Sequence, residues 1–167
     1  MPEKENVFSS KIKYDGLFSF KEFYKFCYDW LVDEADLLVK EEKYSEKLSG
    51  NSKNIEIEWV GTKKLTDYFK SEVKVNFRII GLTEVELTND GQKIKTNKGS
   101  VEIKISGNLI RDYQGKMEKT ASQKFMRGIY EKWIIPSRID EYEDKLGGTC
   151  DDFLTQAKAY LDLEGKK

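Results

Sequence analysis

The chain has 167 residues, 38% of them hydrophobic and 13% aromatic, enough apolar material for a core that requires neither disulfides nor a structural metal. Basic and acidic residues nearly cancel at 29 against 30, so no global field draws the protein to nucleic acid or anionic lipid, and such a partner needs a local patch. Histidine is absent, which removes the Ser-His-Asp triad, the Cys-His pair and every histidine-containing zinc site.

The two prolines mark no linker, and residues 1–167 read as one domain. Cys27 and Cys150 have neither CxxC nor metal-ligand spacing and read as reduced thiols, although the sequence alone leaves a disulfide between them open. The opening MPEKENVFSS has no apolar signal region, and no apolar run approaches the roughly 20 residues of a membrane span, so a soluble, cytoplasmic protein is expected.

In chain order, Ser10 to Tyr14 is a weak strand candidate. A helix follows from Ser19 to about Glu34, where Ser19 and Glu22 form a capping box that satisfies otherwise orphaned backbone donors. Phe20, Phe23, Tyr24, Cys27, Trp30 and Leu31 share one face of it, as expected of a helix packed on a sheet. Leu37 to Leu48, rich in Lys and Glu, reads as an exposed edge strand.

From about Asn54 to Lys119 the apolar period changes from 3.6 to 2, the signature of antiparallel strands with one wet face. Ile55, Ile57 and Trp59 alternate with Glu56 and Glu58, Val73, Val75, Phe77 and Ile79 with Lys74, Asn76 and Arg78, and Val101, Ile103 and Ile105 with Glu102 and Lys104. Asp90-Gly91 supplies the positive φ angles of a tight hairpin turn, Asn97-Lys98-Gly99 reads as a second turn, and Gly81 and Gly107 read as bulges. Asn108 to Lys119 reads as a continuation of the last strand. Helix returns at about Ser122 with a stripe of Phe125, Met126, Ile129, Trp133 and Ile134 that stops at Pro136. A second short helix carrying Ile139, Tyr142 and Leu146 is expected to end at Gly147-Gly148, and a third to start at a Thr149–Asp152 cap with Phe153, Leu154, Ala157, Tyr160 and Leu161 buried.

This order makes α+β the expected class: an antiparallel, curved sheet of about five or six strands packed against an N-terminal helix and C-terminal helices. It resembles the helix-grip arrangement, in which a curved antiparallel sheet wraps a long C-terminal helix and encloses a lipid or hydrophobic ligand. The likeness lies in element order alone, and Pro136 with Gly147-Gly148 interrupts the helix that such a fold keeps continuous.

Nothing marks a nucleophile with its base, and the chain has neither GxxxxGK[ST] nor GxGxxG, so no catalytic, cofactor-binding or metal-ligating residue is assigned. The acidic runs Asp140, Glu141, Glu143, Asp144 and Asp151, Asp152 read as solvated helix faces and dipole-complementing first-turn acids rather than a cation site. Lys93, Lys95, Lys98, Lys104, Lys116, Lys119 and Lys124 raise single-stranded nucleic acid as a partner, but Glu84, Glu86 and Glu102 interleave with them and arginine is scarce, which argues against it.

Two function classes remain. The protein is expected to be a non-enzymatic binding or adaptor module whose sheet edge or aromatic helix docks another protein or a second copy. The alternative is a small hydrophobic ligand held between Trp59, Phe77, Ile79, Ile103 and the Phe125–Trp133 stripe, which demands an apolar cavity of at least a few hundred Å³. Tyr113, Trp133 and Tyr142 are the aromatic positions where a polar handle near a helix break or strand end can orient a ligand.

Overall fold

A computed structural model describes residues 3–111, 121–129, 132 and 136–166. Strand β1 (Glu3–Phe18) leads into helix α1 (Phe20–Asp29), which widens into a π turn at Trp30–Glu34. Four strands follow, β2 (Leu38–Ser49), β3 (Ser52–Lys64), β4 (Phe69–Asn89) and β5 (Gln92–Arg111), and then helices α2 (Ala121–Ile129) and α3 (Pro136–Glu164). The strands form one antiparallel five-stranded sheet in the order β1-β5-β4-β3-β2, so the chain belongs to the α+β class.

Alternation turns one face of this sheet inward. Ile57, Phe77, Ile103 and Ile12 are register neighbours from β3 across to β1, with Trp59, Val75, Ile105 and Ser10 in the next row. α1 and α3 lie against this inner face. Phe23 and Cys27 of α1 and Cys150, Phe153, Leu154, Ala157 and Leu161 of α3 are buried in the same cluster as the sheet residues. Each large side chain so buried contributes on the order of 2 kcal/mol. α1 starts where expected: Ser19 Oγ accepts the Glu22 N–H at 3.4 Å, a cap that contributes about 1 kcal/mol. Asp90 (φ 52°) and Gly91 (φ 79°) form the predicted hairpin turn between β4 and β5.

Three expectations are corrected. Asn97-Lys98-Gly99 is not a turn but part of β5, and its turn-forming residues serve other ends. Asn97 Oδ1 accepts the Phe20 N–H at 3.0 Å and so caps α1, while Gly99 faces a bulge at Gly81-Leu82. A side chain at Gly99 would meet Leu82 Cα at 3.1 Å and the Ile80 carbonyl at 3.3 Å. Gly107, expected as a bulge, sits instead opposite one, since the register of β1 shifts at Val7 between Asn6 and Phe8. Gly147-Gly148 does not end a helix: α3 runs unbroken through it, and Thr149, expected as a cap, donates its hydroxyl to Lys145 O at 2.9 Å. Two glycines in a helix interior cost on the order of 2 kcal/mol, which the burial of Leu146, Cys150 and Phe153 on either side offsets. Pro136 opens α3, where its missing N–H costs nothing. The continuation of β5 past Arg111, together with Tyr113, Trp133 and Ile134, lies outside the described residues.

Helix and sheet approach closely at Gly107, where a Cβ would stand 2.9 Å from Cys150 Sγ and 3.2 Å from Leu146 Cγ. Gly107→Ala is therefore expected to lower stability by about 1–3 kcal/mol in urea denaturation. Cys150→Ala removes the clashing sulfur, so the double variant should cost less than the sum of the two single changes; strict additivity would show that the contact does not hold α3 in place.

Candidate functional site

The inner face is filled. Trp59, Phe77, Ile79 and Ile103, expected to line a cavity, are each at most 4% exposed. Phe23 meets Phe77 edge-on at 6.3 Å, Phe77 meets Trp59 at 4.8 Å, and Tyr160 of α3 closes over Phe23 and Phe26. Beneath α3, beside Leu37, Leu65, Val73 and Leu146, is a crevice of about 40 Å³, with Lys63 and Lys145 also at its walls. Ligand sites for drug-sized molecules run to roughly 300 Å³ and more. Tyr142 lines the same crevice, its ring packed on Phe69 at 5.3 Å.

At the β2 end of the inner face a carboxylate is held by aromatic donors. Glu41 Oε1 accepts the Tyr24 hydroxyl at 2.9 Å and the Trp59 indole N–H at 3.2 Å, and Tyr44 donates to Glu46 at 2.6 Å. A bulge between Glu41 and Lys43 sets this up, because the extra residue lets Glu41 and Tyr44 both face α1. Burial and the Glu41 hydrogen bond push the Tyr24 phenol up to about 12, and burial takes Tyr160 to about 12 as well. With both donors on one oxygen this cluster ties α1 to β2 and β3.

Both cysteines are free and buried, Cys27 in α1 and Cys150 in α3, and burial pushes both thiols well above their usual range, Cys150 to about 12. Among the described residues no three His, Cys, Asp or Glu side chains gather closely enough to hold a metal ion. Within the acidic run, Asp140, Glu141 and Asp144 are exposed, and Glu143 faces Arg111 and Glu5.

The surfaces differ in character. Each edge strand carries a bulge and is rich in Lys and Glu, which interrupts the ladder that a partner strand would extend. The aromatic face of α1 is spent on the core. α2 behaves otherwise: Phe125 is 69% exposed, Met126 59% and Ile129 36%, so these three residues of the stripe expected to close a cavity face solvent. The outer face of the sheet carries no packed helix among the described residues, and its central side chains Lys74, Asn76, Arg78 and Lys104 are exposed. Lys11 and Lys13 join them from β1, a strand only weakly legible in the sequence although Lys11 and Lys13 alternate there with Ile12 and Tyr14.

The class defined by these observations is an α+β protein with an open antiparallel sheet, α1 and α3 on one face and no helix packed on the other among the described residues. Comparison with protein-family models, with curated proteins and with solved structures finds no match. No helix among the described residues is long and apolar enough to cross a membrane.

A thiol reagent such as DTNB should modify neither cysteine of the folded protein and both after guanidinium unfolding; rapid labelling of the native state would contradict their burial. The tyrosines fix an alkaline limit. Tyr24 and Tyr160 bind their protons more tightly folded, at about 12, than at the ordinary 10.0, so their contribution is intact below pH 10.0 and is lost as pH rises toward 12. Stability measured by urea should fall over that interval, and Tyr24→Phe should make the fall shallower.

Proposed function

We propose that the protein is a non-enzymatic, cytoplasmic binding module that docks a protein partner through α2. The observation that carries this reading is the exposed row of Phe125, Met126 and Ile129 on a strongly amphipathic helix. An apolar stripe left in water carries a hydration cost that association removes, whereas an isolated exposed apolar residue calls for no such explanation. The buried, unpaired thiols support a reducing compartment. A second reading, an apolar ligand gripped under α3, is favoured by the continuity of that helix across the inner face, but it has a crevice of about 40 Å³ available.

Phe125→Asp combined with Met126→Asp should leave the unfolding free energy within about 0.5 kcal/mol of the parent, since it alters solvated positions only. A photo-reactive residue at position 125 should give a discrete cross-linked protein product that Met126→Asp abolishes. A loss of more than about 2 kcal/mol would show the stripe to be packed within the fold and end the docking reading. A reproducible excess mass of a few hundred daltons in native mass spectrometry would transfer support to the gripped ligand.

A further inference from the structure

Near-neutral overall charge conceals a division between the two faces of the molecule. The exposed positions of α3 include Asp140, Glu141, Asp144, Asp151, Asp152 and Asp162, which make the helical layer acidic. The outer sheet face is basic instead. Of its acids, Glu56 pairs with Lys43 at 2.8 Å, Glu102 with Lys13 at 3.7 Å, and Glu72 with Lys4 at 2.8 Å and Lys74 at 3.9 Å, while Glu58 is exposed beside Asn76. Glu84 and Glu86, which in the sequence interleave with the lysines, lie beyond the Gly81-Leu82 bulge on the projecting end of the β4–β5 hairpin.

One pairing breaks the ordinary rule for sheets. Lys11 of β1 and Lys104 of β5 are direct cross-strand partners on the outer face, both exposed, and neither has a carboxylate within ion-pair distance among the described residues. Like charges directly opposite each other weaken a sheet. Asn76 and then Glu58 continue that row onto β4 and β3, with two strands between Glu58 and Lys11 at its far end, and Arg78 stands one row away between Glu56 and Glu102. An anion laid along this row would neutralise a repulsion that the fold itself leaves in place.

We propose that the outer sheet face binds the phosphate backbone of a nucleic-acid duplex, with Lys11, Lys104, Arg78 and Lys74 as the contacting cations. Charge complementarity selects a polyanion, and the acidic helical layer orients it to this side alone. The central rows carry no aromatic side chain on which unpaired bases can stack, which favours a duplex read through its backbone over a single strand. They also lack an exposed aromatic for insertion into a membrane. Five strands span about 20 Å, along which a duplex presents about a dozen phosphate charges. This inference stands apart from the docking reading of α2, which it neither uses nor requires.

The test is fluorescence anisotropy of the full chain with a labelled 24-base-pair duplex, as DNA and as RNA, beside the single strand and phosphatidylserine vesicles. Binding at 50 mM salt should weaken on the order of 100-fold by 200 mM if about four phosphates are neutralised. Lys104→Glu should weaken it at least tenfold and at the same time raise the melting temperature, because it turns a like-charge pair into an opposite one. Lys11→Glu should do the same from the other strand, and Lys25→Glu on α1 should change nothing. The tighter of the two duplexes identifies the source of the phosphates. Absence of binding at 50 mM, tighter binding of the single strand or of the vesicles, or equal loss with Lys25→Glu would overturn the proposal.

Discussion

The close crossing of α3 over β5 is the constraint on which the rest of the structure depends. Gly107 lets the helix approach until Cys150 and Leu146 touch the strand, and from there α3 carries Phe153, Leu154, Ala157 and Leu161 along the inner face. α1 shares that face, with Phe23 wedged between Phe77 and Tyr160. A wider crossing would leave room for a guest. The observed one fills the space with the protein's own rings and leaves a crevice at the Leu37–Leu146 end.

Because the inner face is consumed in this way, recognition falls to surfaces the fold does not use. The edges are poor candidates, since bulges at Val7 and Glu42 and a dense mixture of Lys and Glu interrupt regular strand addition. Among the described residues two surfaces stand out, unlike in chemistry. α2 presents Phe125, Met126 and Ile129 in a short apolar row, and the outer sheet presents lysines and Arg78 over several strands. An apolar row gains by excluding water and a charged face by neutralising an anion, so the two suit different partners.

Much of the architecture was legible in the residues. The change of period at Asn54, the Ser19 side-chain cap on the Glu22 N–H and the Asp90-Gly91 turn each rest on local stereochemistry, and each is found in place. The misreadings share a cause. Asn97 and Gly99 carry turn chemistry, but the first caps a helix remote in sequence and the second yields space to Leu82. Gly147-Gly148 carries stop chemistry, yet the stripe Ile139, Tyr142, Leu146, Cys150, Phe153, Ala157, Leu161 passes through it at unbroken helical period, and burial outweighs propensity. The periodicity of Phe125 and Met126 predicts the wall of an apolar cavity, and periodicity identifies a face without saying what covers it.

By itself the sequence determined the class of fold, the apolar face of each element and the absence of histidine chemistry, since these depend on residue type and spacing along the chain. Tertiary structure alone decided which lysines become neighbours. Lys11 and Lys104 are far apart in the chain and adjacent in the sheet because β1 pairs with β5, a pairing set by long-range register rather than by any local signal. It likewise decided that α3 is one helix and that the inner face is filled, because both follow from side-chain volumes meeting across elements.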